Sequence, residues 1–181
     1  MKCFVLCLGA LLLLAGCSSA PPPPRHIDNL CSIFHQHPDW YRDAYRAQRK
    51  WGVPLQITMA IMYQESRFRG DASNSRSSAY GYSQALDGIW DEYRDATGSF
   101  GAERDNFADS IDFMSWYIHH SHKKNGVSVW NSYGQYLNYY YGWYGYRKHA
   151  GHYQSQVKQI ALGVKRRASL YGGQLRHCRG L

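Results

Sequence analysis

The stretch Leu55-Gln56-Ile57-Thr58-Met59-Ala60-Ile61-Met62-Tyr63-Gln64-Glu65-Ser66 decides the fold class. Leu55, Met59 and Met62 recur at helical spacing, and Ile57, Ala60 and Ile61 fill the adjacent positions. A helix that is apolar nearly all round belongs at the centre of a domain. Gly52 breaks what precedes it, Pro54 suits a first helical turn, and the helix should end near Ser66. Upstream, Asp39 to Lys50 carries good helix formers and no Gly or Pro. Downstream, Asp71 to Gly81 is a loop by composition, rich in Ser, Asn, Ala and Gly. A short helix is expected from Ala85 to Tyr93. Phe107, Ile111, Met114 and Ile118 mark another, capped by Asp105 or Asn106 and closed at Asn125-Gly126. Trp130 to Tyr141 reads as a helix stopping at Gly142. Val157, Ile160, Val164 and Tyr171 mark a last one, ending at Gly172-Gly173. With no alternating strand and no internal repeat, the chain reads as one all-α domain.

The first residues suggest export. Met1 and Lys2 precede an apolar run from Phe4 to Ala15, shorter than the roughly 20 residues a membrane span needs. The run ends in Leu14-Ala15-Gly16-Cys17, which resembles the lipobox of bacterial lipoproteins; the other reading is an ordinary signal peptide with a chance cysteine. The first reading divides the chain into a signal peptide at 1–16, a lipidated Cys17 with a proline-rich tether over 17–28, and a folded domain over 29–181. More than one acyl chain on Cys17 makes a stable membrane anchor. The proline run from Pro21 to Pro24 favours polyproline II, giving the ten or so residues after Cys17 a reach of about 30 Å. Ser18 after the cysteine resembles outer-membrane lipoproteins and points to that membrane, facing the periplasm.

Cysteine parity fits the same picture. Cys3 and Cys7 leave with the signal, Cys17 takes lipid, and Cys31 and Cys178 remain. An oxidising compartment favours a Cys31–Cys178 disulfide closing almost the whole domain; two free buried thiols are the alternative. The net charge of +8 usually suggests nucleic acid. Export excludes that partner and leaves phospholipid head groups and cell-wall carboxylates as polyanions. The 16 Tyr and six Trp suit either sugar stacking or plain core packing.

Glu65 is the chemically informative position. It follows Met62 by three residues and Ile61 by four, so it continues the apolar stripe. A carboxyl held against apolar groups resists ionisation, as a general acid at neutral pH must. The same spacing also fits a last polar residue whose head reaches water. His119, His120 and His122 cluster at a helix end but lack a His-Glu-x-x-His pattern, so surface histidines are expected there and no metal. No phosphate-binding glycine loop and no Gly-x-Ser-x-Gly elbow occurs, and no cofactor is expected.

Gln64-Glu65-Ser66-Arg67-Phe68, then Ala72-Ser73, then Ala79-Tyr80-Gly81-Tyr82-Ser83-Gln84 resembles the signature of the soluble lytic transglycosylase family. That signature runs Glu-Ser-x-Phe, Ala and Ser in a loop, then Gly-Leu-Met-Gln; Tyr82-Ser83 stands here for Leu-Met. Tyr136 to Tyr146 resembles the family's third motif, a tyrosine close to a glycine, with Tyr139 or Tyr140 as the motif tyrosine. The resemblance implies a lysozyme-like helical fold, a glycan groove and a monomeric enzyme acting on peptidoglycan. It implies that Glu65 protonates the oxygen between N-acetylmuramic acid and N-acetylglucosamine, then deprotonates the muramoyl 6-hydroxyl to give a 1,6-anhydro product. Only Asp71 offers a second acid between Glu65 and Gln84, whereas hydrolases need a carboxylate pair. The resemblance assigns Ser66 and Ser73 to sugar amides or the Glu65 carboxyl, and Gln84 to the groove wall. It gives Tyr139 the task of holding the Glu65 carboxyl with its hydroxyl. The shared fold keeps a goose-type lysozyme as the rival enzyme, and a silent wall-binding lipoprotein as the rival of another class.

Overall fold

The structure is a computed structural model that describes residues 20–178 and residue 180. The expected signal peptide, the lipobox and Cys17 lie outside the described residues. Among the described residues seven helices follow one another: α1 (Leu30–Gln36), α2 (Pro38–Trp51), α3 (Leu55–Ser66), α4 (Asp87–Thr97), α5 (Phe107–Asn125), α6 (Ser132–Lys148) and α7 (Ser155–Leu175). Among the described residues the only β pairing is two isolated bridges, Ser73 with Tyr80 and Tyr80 with Ala85. The domain is all-α, as the apolar stripe required.

The apolar helix α3 lies in the middle. Its Met59, Ala60, Ile61 and Met62 are fully buried, and it packs against α2, α5, α6 and α7. Burial of a side chain of this size contributes roughly 1.5–3 kcal/mol. Left-handed glycines close three of the helices, Gly52 after α2, Gly98 after α4 and Gly126 after α5. Asn106 is the cap of α5, its side chain accepting from the Asp109 N–H.

The elements differ from expectation in several places, including α4, which runs on to Thr97 past Tyr93, and α6, which starts at Ser132 instead of Trp130. α1 was not anticipated, although Asn29 caps it by accepting from the Ser32 N–H and Leu30, Ile33 and Phe34 form its buried face. α4 begins at Asp87 instead of Ala85, because the Ala85 carbonyl is held by Tyr80 N–H and the Arg104 guanidinium. α6 does not stop at Gly142 but kinks there (φ 70°, ψ 165°) and runs on to Lys148. A regular helix would aim the Asn138 carbonyl at the N–H of residue 142. Here that carbonyl accepts from the Tyr117 hydroxyl at 3.0 Å, while Asn125 Nδ2 donates across the kink to the Trp143 carbonyl. α7 runs through Gly172-Gly173 to Leu175. Gln174 makes that last turn useful: its Oε1 accepts from Leu30 N–H and its Nε2 donates to the Asp28 carbonyl.

The two ends of the domain meet at this point. Cys31 and Cys178 form a disulfide with Cα atoms 5.5 Å apart, and the Tyr171 hydroxyl donates to the Ile27 carbonyl. The proline-rich segment does not project from Ala20 onward. Pro24 is buried, Arg25 N–H donates to Gln36 Oε1, and Ala20 abuts Gly70. Apolar contact thus lays part of the expected 30 Å tether along the domain.

Candidate active site

Glu65 sits on the last turn of α3, half-buried, where the chain leaves the helix in an unusual way. Arg67 (φ 54°) and Phe68 (φ 59°) are both left-handed, and Gln84 (φ 52°) is the other non-glycine residue with positive φ among those described. Each such residue costs on the order of 1–3 kcal/mol, and such strain clusters at functional sites. All three belong to one structure, the turn and loop that bring residues 80–84 back beside the end of α3.

That loop is braced from within. Gly81 N–H donates to the Ala72 carbonyl at 2.8 Å, and Gln84 Nε2 donates to the carbonyls of both Ala72 and Gly81 at 2.9 Å. Gly81 has φ 77°, and a Cβ there would collide with the Arg104 carbonyl, so only glycine fits. Tyr82 N–H donates to that same carbonyl at 3.1 Å.

Burial pushes the Glu65 carboxyl up from 4.5 to about 8, and interaction with the Tyr136 hydroxyl pulls it partly back. No other charged group perturbs Glu65. Asp71 is exposed, and its field falls on Tyr80 and Tyr82 instead. Burial, and then the Glu65 charge, also push Tyr139 well above the ordinary tyrosine range.

Tyr136, Tyr139 and Tyr140 share one face of α6 by their spacing of three and four. Tyr136 is buried, Tyr139 half-buried and Tyr140 exposed. The Tyr139 hydroxyl donates to the Ser83 carbonyl at 2.5 Å, so it pins the 81–84 turn. The hydroxyl that meets Glu65 is therefore that of Tyr136, three residues earlier than expected. A cleft of about 280 Å³ opens beside Tyr139, bounded by Gln84, Leu86, Ile89, Tyr140 and Trp143. It is mostly apolar and aromatic, and Glu65 does not line it.

The other expected site residues are placed less directly. Gln84 borders the cleft, but its amide nitrogen is spent on the loop. The Ser66 hydroxyl turns back onto the Met62 carbonyl, and Ser73 is exposed in the loop; neither touches the Glu65 carboxyl. His119, His120 and His122 each direct Nδ1 to a different backbone carbonyl, those of Trp51, Trp116 and Val127. Sequence reasoning missed Tyr136, which shares a helical face with Tyr139, so spacing does not separate the two.

A raised, solitary carboxyl thus lies near a strained loop and an aromatic cleft. The chain matches the family described as the transglycosylase SLT domain over residues 5–178, and it belongs to that family. Membership implies a lytic transglycosylase acting on peptidoglycan glycan strands. No curated protein matches the chain.

Proposed function

We propose that the protein cleaves the bond between N-acetylmuramic acid and N-acetylglucosamine with Glu65 as both acid and base. The observation that carries this is a lone carboxyl raised to about 8 with no second carboxylate coupled to it. At neutral pH most Glu65 carboxyls hold the proton needed by the leaving oxygen. As the bond breaks, the proton moves to that oxygen and Glu65 becomes a carboxylate. The carboxylate then takes the proton of the muramoyl 6-hydroxyl while that oxygen bonds to the anomeric carbon. Glu65 ends protonated, no water is consumed, and the product is a 1,6-anhydro sugar. A hydrolase would need a second carboxylate roughly 5–9.5 Å away to act as nucleophile or base.

The supporting residues follow from their places. Tyr136 steadies the ionised form of Glu65, and Tyr139 and Gln84 hold the turn against it. Tyr140, which is exposed at the cleft, offers a ring face to sugars, and Trp143, held between Tyr117 and Lys124, forms part of the cleft wall. Ser73 lies in the loop within reach of a longer glycan, and Ser66 fixes the end of α3. The enzyme works as a monomer, anchored through Cys17 to the outer membrane and facing the periplasm, with its signal peptide at 1–16. Support for the anchor is the Leu14-Ala15-Gly16-Cys17 sequence.

Digestion of purified sacculi followed by mass analysis tests the chemistry. Muropeptides lighter by one water than hydrolysed ones are expected. Reducing-end products would move the protein to the lysozymes, and glycan binding without products would make it a silent binder. The mass of the mature N-terminal peptide tests the anchor; a Cys17 without acyl chains refutes it.

A further inference from the structure

The charges of this chain are unevenly spread. All 13 carboxylates lie at or before Asp112, while ten of the 21 Lys and Arg residues lie after it. α7 contains no acidic residue, and its buried face is Val157, Ala161, Val164, Ala168 and Tyr171. Its opposite face carries Lys158, Lys165 and Arg166 together with Leu162 and Leu170, which are 37% and 48% exposed. Single exposed leucines are unremarkable, but two on one helix among three cations make an amphipathic outer stripe of the interfacial kind.

Beside that stripe, between α3 and α7, is a cavity of about 330 Å³ lined by Tyr63, Gln64, Arg67, Arg166, Arg167 and Leu170. Arg67 and Arg167 both lie against the Tyr63 ring, at 4.2 and 3.9 Å from its centre. Asp28 pairs with Arg167 at 2.7 Å. Among the described residues no carboxylate pairs with Arg67, Lys158, Lys165 or Arg166. Residues 60, 63, 64 and 67 of the α3 region face this cavity, whereas Glu65 is turned toward Tyr136 on α6.

We propose that the outer face of α7 docks on anionic phospholipid, with the cavity at Arg67 and Arg166 taking a head-group phosphate and Leu162 and Leu170 entering the acyl boundary. Charge and apolar exposure coincide there, which favours a lipid surface over the polar cell wall. The docked domain would present the Glu65 side away from the lipid.

The test uses the mature chain with Cys17→Ser, exported behind a fully cleaved signal so that no acyl chain contributes. Flotation is measured with vesicles of phosphatidylethanolamine alone and of phosphatidylethanolamine mixed with phosphatidylglycerol. Binding is expected only to the mixed vesicles, with release by high salt. The triple variant Lys158→Gln, Lys165→Gln, Arg166→Gln should lose about fivefold per cation, or about 100-fold in all. Arg42→Gln, Arg46→Gln, Arg49→Gln on α2 removes the same charge elsewhere and should change binding by less than about fivefold. Leu162→Ser with Leu170→Ser should weaken binding without changing net charge. These residues are solvent-facing, and unchanged thermal unfolding confirms that each variant folds. Absence of binding to the mixed vesicles, equal losses from the two triple variants, or binding to sacculi without binding to vesicles overturns the proposal. Because the chain is unlipidated, such a failure leaves the anchor at Cys17 untouched.

Discussion

Replacing Glu65 by Gln should make the protein more stable while removing its chemistry. The carboxyl is raised from 4.5 to about 8, first by burial. Between those values the native state holds a proton that the unfolded chain has released, so stability falls as pH rises through that window. Each pH unit is about 1.4 kcal/mol, giving a cost of about 2 kcal/mol at pH 6 and an upper bound of about 5 kcal/mol once ionisation is complete. Partial access to water trims both figures. Gln cannot ionise, so the variant avoids this cost. For a domain of this size about 2 kcal/mol is worth roughly 4–8 °C in melting temperature. Thermal unfolding of both proteins should coincide near pH 4, separate by several degrees at pH 6 and separate further at pH 8. Activity should fall by at least about 10³-fold, because a general acid contributes about 10²–10⁴-fold and this group acts twice. A melting difference that stays flat from pH 4 to pH 8 would mean that the carboxyl ionises as it does in water. Anhydro products formed normally by Glu65→Gln would end the acid/base assignment.

Tyr136→Phe removes the hydroxyl that draws the Glu65 carboxyl downward. The alkaline limb of kcat/KM should move up by about half to one pH unit, since a hydrogen bond is worth about 1 kcal/mol; a downward move contradicts the reading. Gly81→Ala should destabilise by more than about 2 kcal/mol, as the Cβ meets the Arg104 carbonyl at a positive φ. Gly88→Ala on α4, where a Cβ meets nothing within 4 Å, should be neutral or stabilising by up to about 1 kcal/mol; similar melting shifts for the two would refute the steric account. Breaking the Cys31–Cys178 bond, 147 residues apart, should cost about 5 kcal/mol in the chain-entropy model. Paired Cys→Ser substitution should then lower the melting temperature by roughly 10–20 °C, and a drop under about 3 °C would count against that model here.

The sequence made α3 legible because its side chains are apolar on every side, a pattern that needs no tertiary information. Cysteine parity made the disulfide legible for a similar reason. Gly142 was misread because its effect is decided at a distance: Tyr117 and Asn125, both on α5, take up the backbone groups that the kink displaces, and α6 continues. Gly172-Gly173 was misread because Gln174 bonds to residues 28 and 30 at the far end of the chain. Within the site, the stripe from Ile61 and Met62 foretold the raised Glu65. The choice between Tyr136 and Tyr139 was beyond reach, since both share one helical face and only the position of the Ser83 carbonyl separates them. Gln84 could be recognised as special, but not that its amide faces inward to brace the loop.

The joined ends of the domain also govern how it bears tension. A pull on the N-terminal segment first meets the weak contacts of residues 20–25 and then residues 27–31, where Tyr171 and Gln174 grip the backbone and Cys31 is covalently tied to Cys178. The load passes to the end of α7 at the same moment as to α1, so α1 cannot be peeled away one turn at a time. For a force applied between the two termini, the covalent load path crosses from Cys31 to Cys178 and leaves out residues 32–177. The clip works as a mechanical bypass, leaving the strained turns around Glu65 slack while the chain ends are stretched.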